Sequence, residues 1–200
     1  EDAASVSLSA EEQTKLTHIF TGRLPEEEKK NYHVQIESLG EQADAVLITQ
    51  GEWMRRMQEM ARMQPGMSFY GEMPESFNVV LNADHPLVKR VLSEESAALE
   101  GELASLRSEL KAQTEAVETA RKAQEGKQEE EISAADKEAL DSLAHKQAEL
   151  EGKITAELKA YGAGNDLVGQ LIDLALLGSG LLTGEALAKF IQRSQSLLIK

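Results

Sequence analysis

Two hundred residues carrying 35 acidic and 21 basic side chains, with a formal charge of −14, suffice for one domain with a buried core. The acidity argues against nucleic acid and anionic membranes as partners, because a phosphate surface is recognised by a basic one. There is no cysteine, which excludes disulfides and thiolate metal sites and suits a cytosolic protein.

The chain opens EDAASVSLSA, without an initiating methionine or a signal-peptide pattern, as expected of a fragment or a processed product. Ser9 with Glu12 makes a capping-box pattern, so a helix is predicted from Ala10 to Phe20. TGRLPEEEKK follows as a loop. In NYHVQIES, Tyr32, Val34 and Ile36 alternate with His33, Gln35 and Glu37, the pattern of a half-buried strand. DAVLIT and SFNVVLNAD read as a second and third strand. Between them GEWMRRMQEMARM has no helix breaker before Pro65 and Gly66. Asp84 is expected to cap the next helix, with His85 and Pro86 in its first turn.

From Ser93 to Ala160 the composition is that of long helices and coiled coils. Leu99, Leu103, Leu106, Leu110, Gln113, Val117 and Ala120 are spaced alternately by four and three, as are Leu140, Leu143, Gln147, Leu150 and Ile154. Each set is an a/d seam, narrow enough for one neighbour. Gly126 is placed to stop the first helix, and Ser133 with Asp136 to start the second. The expectation is an antiparallel helical hairpin whose arms, about 28 residues at ~1.5 Å each, reach roughly 40 Å. YGAGN is read as its end.

The most apolar run, LVGQLIDLALLGSGLL, is broken by Gln170, Asp173 and glycines and is too short to span a bilayer. Its helix carries apolar residues around most of its circumference, more than one contact face requires. The last helix, capped at Thr183, places Leu187, Phe190, Ile191, Ser194, Leu197 and Leu198 on one stripe. So much apolar surface must be buried in the domain or against a second copy.

Signs of chemistry are few. The four histidines, His18, His33, His85 and His145, are isolated, so no helical zinc motif forms. GAGNDLVG follows a helix rather than a strand and lacks the lysine of a phosphate loop. The many carboxylates read as solvated helix faces. No metal, cofactor or catalytic residue is assigned.

Three stretches together resemble the C-terminal domain of the ninety-kilodalton heat-shock protein family: GEWMRRMQEMARM, FNVVLNADHPLVKRV, and IDLALLGSG running on to FIQRSQSLL. With YHVQIES before them the likeness covers about two-thirds of the chain, and the Asn82–Pro86 and Leu174–Gly180 segments are its most specific parts. LTGEAL stands where the family has an Asp-Pro helix start, and the coiled-coil stretch replaces a much shorter connection. The resemblance implies an α+β fold. A small three-stranded sheet with helices, in 1–92 and 161–200, is interrupted by an inserted helical hairpin, 93–160. Two C-terminal helices complete a four-helix bundle in a homodimer. The bundle residues implied are Leu167, Leu171, Leu174, Ala175, Leu187, Phe190, Ile191, Ser194 and Leu197.

The resemblance further implies the dimerisation and client-contact domain of an ATP-dependent chaperone, not itself an enzyme. ATP and magnesium belong to domains without counterpart here. The chain end, without an acidic tail or a retention signal, fits a bacterial cytoplasmic member. Unfolded or partly folded proteins are the implied partners, touched by Trp53, Met54, Met57, Met60 and Met63. At about 100° per residue, Trp53 and these methionines cover roughly half the helix circumference, more than the ~100° stripe of a core helix. Methionine is flexible and suits varied partners better than a fixed core. The competing reading is a coiled-coil tether or scaffold, with the hairpin as its working part.

Overall fold

The computed structural model describes residues 6–63, 74–126 and 132–199, leaving out the side chains at 53, 54, 57, 58, 61, 62, 197 and 198. Its elements are α1 (Ala10–Thr21), β1 (Lys30–Glu37), β2 (Val46–Gln50), α2 (Glu52–Met63), β3 (Glu75–Asn82), α3 (Pro86–Gln124), α4 (Ala134–Gly164), α5 (Asp166–Gly178) and α6 (Gly184–Ile199). The α+β class expected from the sequence is the class observed. The chain divides into two compact units, Glu1–Glu94 with Lys159–Lys200, and Glu95–Leu158.

In the first unit the strand order is β1-β3-β2, with β1 parallel and β2 antiparallel to β3. The register sets Tyr32, Val34 and Ile36 beside Phe77, Val79 and Leu81, with Val46 and Ile48 beyond them. A period of two puts these side chains on one face. Tyr32 stacks on Phe77, ring centroids 5.6 Å apart. α1 lies against β1, α5 against β2, and the two helices touch each other. The strand alternation of β1, apolar residues half-buried and polar ones exposed, is that of an edge strand with one face covered.

α1 starts where the capping box predicts: Glu12 N–H donates to Ser9 Oγ at 3.3 Å, and Ser9 N–H donates to Glu12 Oε2 at 2.8 Å. The helix buries Leu16, Ile19 and Phe20 completely, each a gain of about 1.5–3 kcal/mol relative to exposure. Its far end meets the end of α4 backbone to backbone. A Cβ on Gly162 would stand 1.8 Å from the Ile19 carbonyl oxygen, and one on Gly22 2.1 Å from that of Lys159. Arg23 Nη1 donates to the Ala163 carbonyl at 2.6 Å, and a Cβ on Gly169 would stand 2.8 Å from the same guanidinium. α4 runs through Tyr161 and ends at Gly164, within the YGAGN stretch expected to end it. Those glycines serve close approach, which outweighs their poor helix propensity.

Asp84 does not cap the helix after β3. Its Oδ2 accepts from the Ser38 hydroxyl and, at 2.9 Å, from Gly40 N–H. These two hydrogen bonds, Ser38 first, hold its carboxyl below the usual range. The cap is His85, whose Nδ1 accepts from Leu87 N–H at 3.1 Å, and Pro86 is the first helical residue. Asn82, fully buried, accepts from Leu39 N–H and donates to the Gly40 carbonyl. A carboxylate read as a local cap thus joins a long-range clasp on the turn after β1.

In the second unit, α3 and α4 run antiparallel. Gln124 Nε2 donates to the Asp136 carbonyl at 3.1 Å, Gln113 Nε2 to that of Leu143 at 2.8 Å, and Lys146 pairs with Glu109 at 3.2 Å. Leu103, Gln113, Val117 and Leu150 are buried along the seam. Gly126 closes the first arm at φ 80°, and Asp136 N–H donates to Ser133 Oγ at 3.1 Å at the start of the second. Glu95, fully buried, accepts from Arg107 at 2.9 Å. Twelve residues of straight helix rise ~18 Å, beyond the joint reach of the two side chains. α3 therefore bends between them, and Gly101 lies midway, where a helix bends at least cost.

Candidate interaction surfaces

The methionine segment is a helix throughout, from Glu52 to Met63, one residue after β2. Met60 is 46% and Met63 83% exposed. The side chains of Trp53, Met54 and Met57 lie outside the described residues. Arg56 pairs with Glu52 one turn away, both exposed, a contact that contributes little.

α5 begins at Asn165, whose Oδ1 accepts from Val168 N–H at 3.0 Å. Its inner side is taken up by the chain itself: Val168, Leu171, Ile172, Ala175 and Leu176 are buried. Val46, Ile48, Leu171, Leu174 and Ala175 line a cavity of about 390 Å³ between β2 and α5. On α6, Phe190 is buried, while Leu187 and Ser194 are half-covered. Of the bundle residues expected from the sequence, Leu171, Ala175 and Phe190 are thus covered within one chain, and Leu167 is half-covered. Leu174 and Ile191 remain 48% and 46% exposed. Leu197 lies outside the described side chains. Leu177, the last residue of the apolar run read from the sequence, is 42% exposed and joins the outer row. Its spacing of three from Leu174 was the available signal.

The two helices are also joined by a polar clasp that sequence reasoning missed. Arg193 Nε donates to Gln170 Oε1 at 2.9 Å, and its guanidinium pairs with Asp173. Gln170 Nε2 donates to Ser194 Oγ at 3.0 Å. The signal was there: Gln170 and Asp173 interrupt one apolar helix, and Arg193 and Ser194 the next. Elsewhere, burial pushes the His18 imidazole down, with Lys159 adding to the effect. A neutral His18 therefore favours the fold, and that contribution falls away as pH drops.

Among the described residues no group of histidines and carboxylates is placed to hold a metal ion, and no helix is long and apolar enough to cross a membrane. The elements that stand out are an exposed methionine pair and an outward apolar row on two clasped helices.

No family model matches the chain, and no solved structure does. Curated relatives do. A chaperone protein HtpG of Porphyromonas gingivalis is 55% identical over 201 residues, covering 99% of this chain and 29% of its own length. Similar proteins of the same name from Bacteroides fragilis and Bacteroides thetaiotaomicron are 46% and 43% identical, again over 99% of this chain. Over almost its whole length the chain is thus similar to a segment of HtpG chaperones, in keeping with the ninety-kilodalton heat-shock resemblance of its sequence, and it spans 29% of those relatives' length. The likeness covers the hairpin as well, so that stretch is shared with these relatives.

Proposed function

We propose that this chain is the dimerisation and client-contact segment of an ATP-dependent chaperone that assists protein folding in the cytoplasm. The observation that carries the reading is the outward apolar residues Leu174 and Leu177 on α5, a helix whose inner side is already occupied within the chain, together with the exposed Ile191 on α6. Each such side chain, already about half covered, gains roughly 1 kcal/mol on full burial, and a second copy offers the same residues in return, as an isologous interface requires. Similarity to chaperones supports the wider function. ATP binding and hydrolysis belong to other parts of such a chaperone, and this segment acts by holding two copies together without a cofactor of its own.

Met60 and Met63 are the client contacts in this reading, with Trp53, Met54 and Met57 beside them on the same helix. Exposed methionines adapt to many apolar surfaces. The test is aggregation of a denatured model protein in the presence of the chain. Met60→Glu with Met63→Glu is expected to leave the melting temperature unchanged, because substitutions at exposed sites cost under ~0.5 kcal/mol, and to weaken suppression of aggregation several-fold. Unchanged suppression at unchanged stability would refute the contact role.

A further inference from the structure

β2 stands at an edge of the sheet, paired with β3 alone. One hydrogen bond tells which of its main-chain groups face outward. Asn82 N–H donates to the Ala45 carbonyl at 2.9 Å, and the register Val46↔Leu81 sets these two residues opposite each other. Opposed residues of an antiparallel pair alternate between bonded and non-bonded. Leu47 and Thr49 therefore bond to β3, while the N–H and C=O of Val46 and Ile48 point away from it. Among the described residues no hydrogen bond reaches those outward groups. Open edges are commonly blunted by a charge, a proline or a bulge, and VLITQ, in unbroken register with β3, has none of these. Beside this edge runs the cavity of about 390 Å³, lined by the consecutive residues 44–48. Successive side chains point to opposite faces, so a cavity touching all of them follows the edge of the strand. Its far wall is one ridge of α5, Leu171, Leu174, Ala175 and Gly178, at i, i+3, i+4, i+7.

We propose that the groove between β2 and α5 takes an extended apolar segment of a non-native polypeptide as a fourth strand. This rests on the client-contact reading above and adds a second contact, with the conformation in which a client is held. The edge selects the backbone: outward N–H and C=O groups at every second residue are matched by another extended chain, which lies ~4.8 Å away. The α5 ridge selects the side chains, because it offers them an apolar wall. Main-chain bonds carry no sequence preference, so unrelated segments fit as long as they are apolar and extended. Folded proteins keep the main chain of such segments paired, whereas an unfolded chain offers it. Asp44 is the one charged residue among those lining the groove, and it favours a basic residue at that end of the segment.

The test adds a short peptide of alternating valine and threonine with a terminal lysine, and follows amide hydrogen exchange by nuclear magnetic resonance. Exchange at Val46 and Ile48 N–H is expected to slow, with Leu47 and Thr49 little changed because β3 already holds them. The same peptide N-methylated throughout keeps its side chains and loses every donor, and should bind about tenfold more weakly or worse. Gly178 has open space around the position of a Cβ, so Gly178→Leu fills the groove without crowding the fold. That variant should melt at or above the wild-type temperature, leucine being the better helix former, and lose the peptide to a similar degree. Equal binding of the N-methylated peptide would mean apolar capture without strand pairing and would overturn the proposal. A folded Gly178→Leu chain that binds as the wild type does would overturn it too. Val46 and Ile48 amides already protected without peptide would show the edge taken by the chain itself or by a second copy, again against the proposal. The methionine contacts fail separately, by unchanged suppression of aggregation in the Met60→Glu, Met63→Glu variant, a result that leaves peptide binding at β2 untouched.

Discussion

Gly162 shows how much a single position can fix. A methyl group there would stand 1.8 Å from the Ile19 carbonyl oxygen, a rigid backbone atom at about half an ordinary contact distance. Gly162→Ala must therefore push α1 and the end of α4 apart and disturb the Arg23 hydrogen bond to Ala163. Overpacking of this kind costs about 1–3 kcal/mol or more, so thermal unfolding of the variant should begin several degrees lower. Gly152, earlier in the same helix with open space around it, is the control: Gly152→Ala should hold or raise stability, since alanine is the better helix former by ~1 kcal/mol. Glycine in the sequence looks the same at both positions. YGAGN does end its helix, at Gly164, but what Gly162 is for cannot be read there, because its cause is contact with a segment about 140 residues away, where Arg23 also donates to Ala163. Asp84 misleads for the same reason. A carboxylate near proline suggests a cap, but Ser38 and Gly40 claim it from the end of the neighbouring strand β1.

At the scale of elements, periodicity carries further. The helix from Ser9 and Glu12, the alternation in NYHVQIES, and the two seams at spacings of four and three all reflect local rules, and all three appear at the places the rules name. Strand order does not follow from any of them. The β1-β3-β2 arrangement depends on which strands meet after a crossover, and nothing in a single strand encodes that. The hairpin's seam is satisfied by its own partner helix through Gln113, Gln124 and Lys146. Replacing 95–158 by a short Gly/Ser linker should then leave the first unit folded, with the circular-dichroism signal falling by the helix removed and a cooperative melt retained. Loss of cooperative unfolding would mean that the hairpin contributes to the core of the first unit. A hairpin that works as a tether would show itself differently, by loss of the chain's main activity while the dimer persists.

For the whole molecule, the apolar surplus read from the last two helices is divided by the structure. Leu171, Ala175 and Phe190 are occupied at home, and Leu174, Leu177 and Ile191 are left outside. The sequence shows the surplus but not its partition, because the partition depends on β2 and on the clasp between α5 and α6, both long-range features. The outward row is the part available to a second copy. The most direct measurement is sedimentation equilibrium of the chain at micromolar concentration, beside the variant Leu174→Glu with Ile191→Glu. The wild type should weigh two chains. The variant should weigh one, with its helical signal and melting temperature close to wild type, because the new charges sit on exposed positions of a folded monomer and are buried unpaired only in the dimer. A wild type that weighs one chain at tens of micromolar, or a folded variant that still weighs two, would contradict pairing through this row.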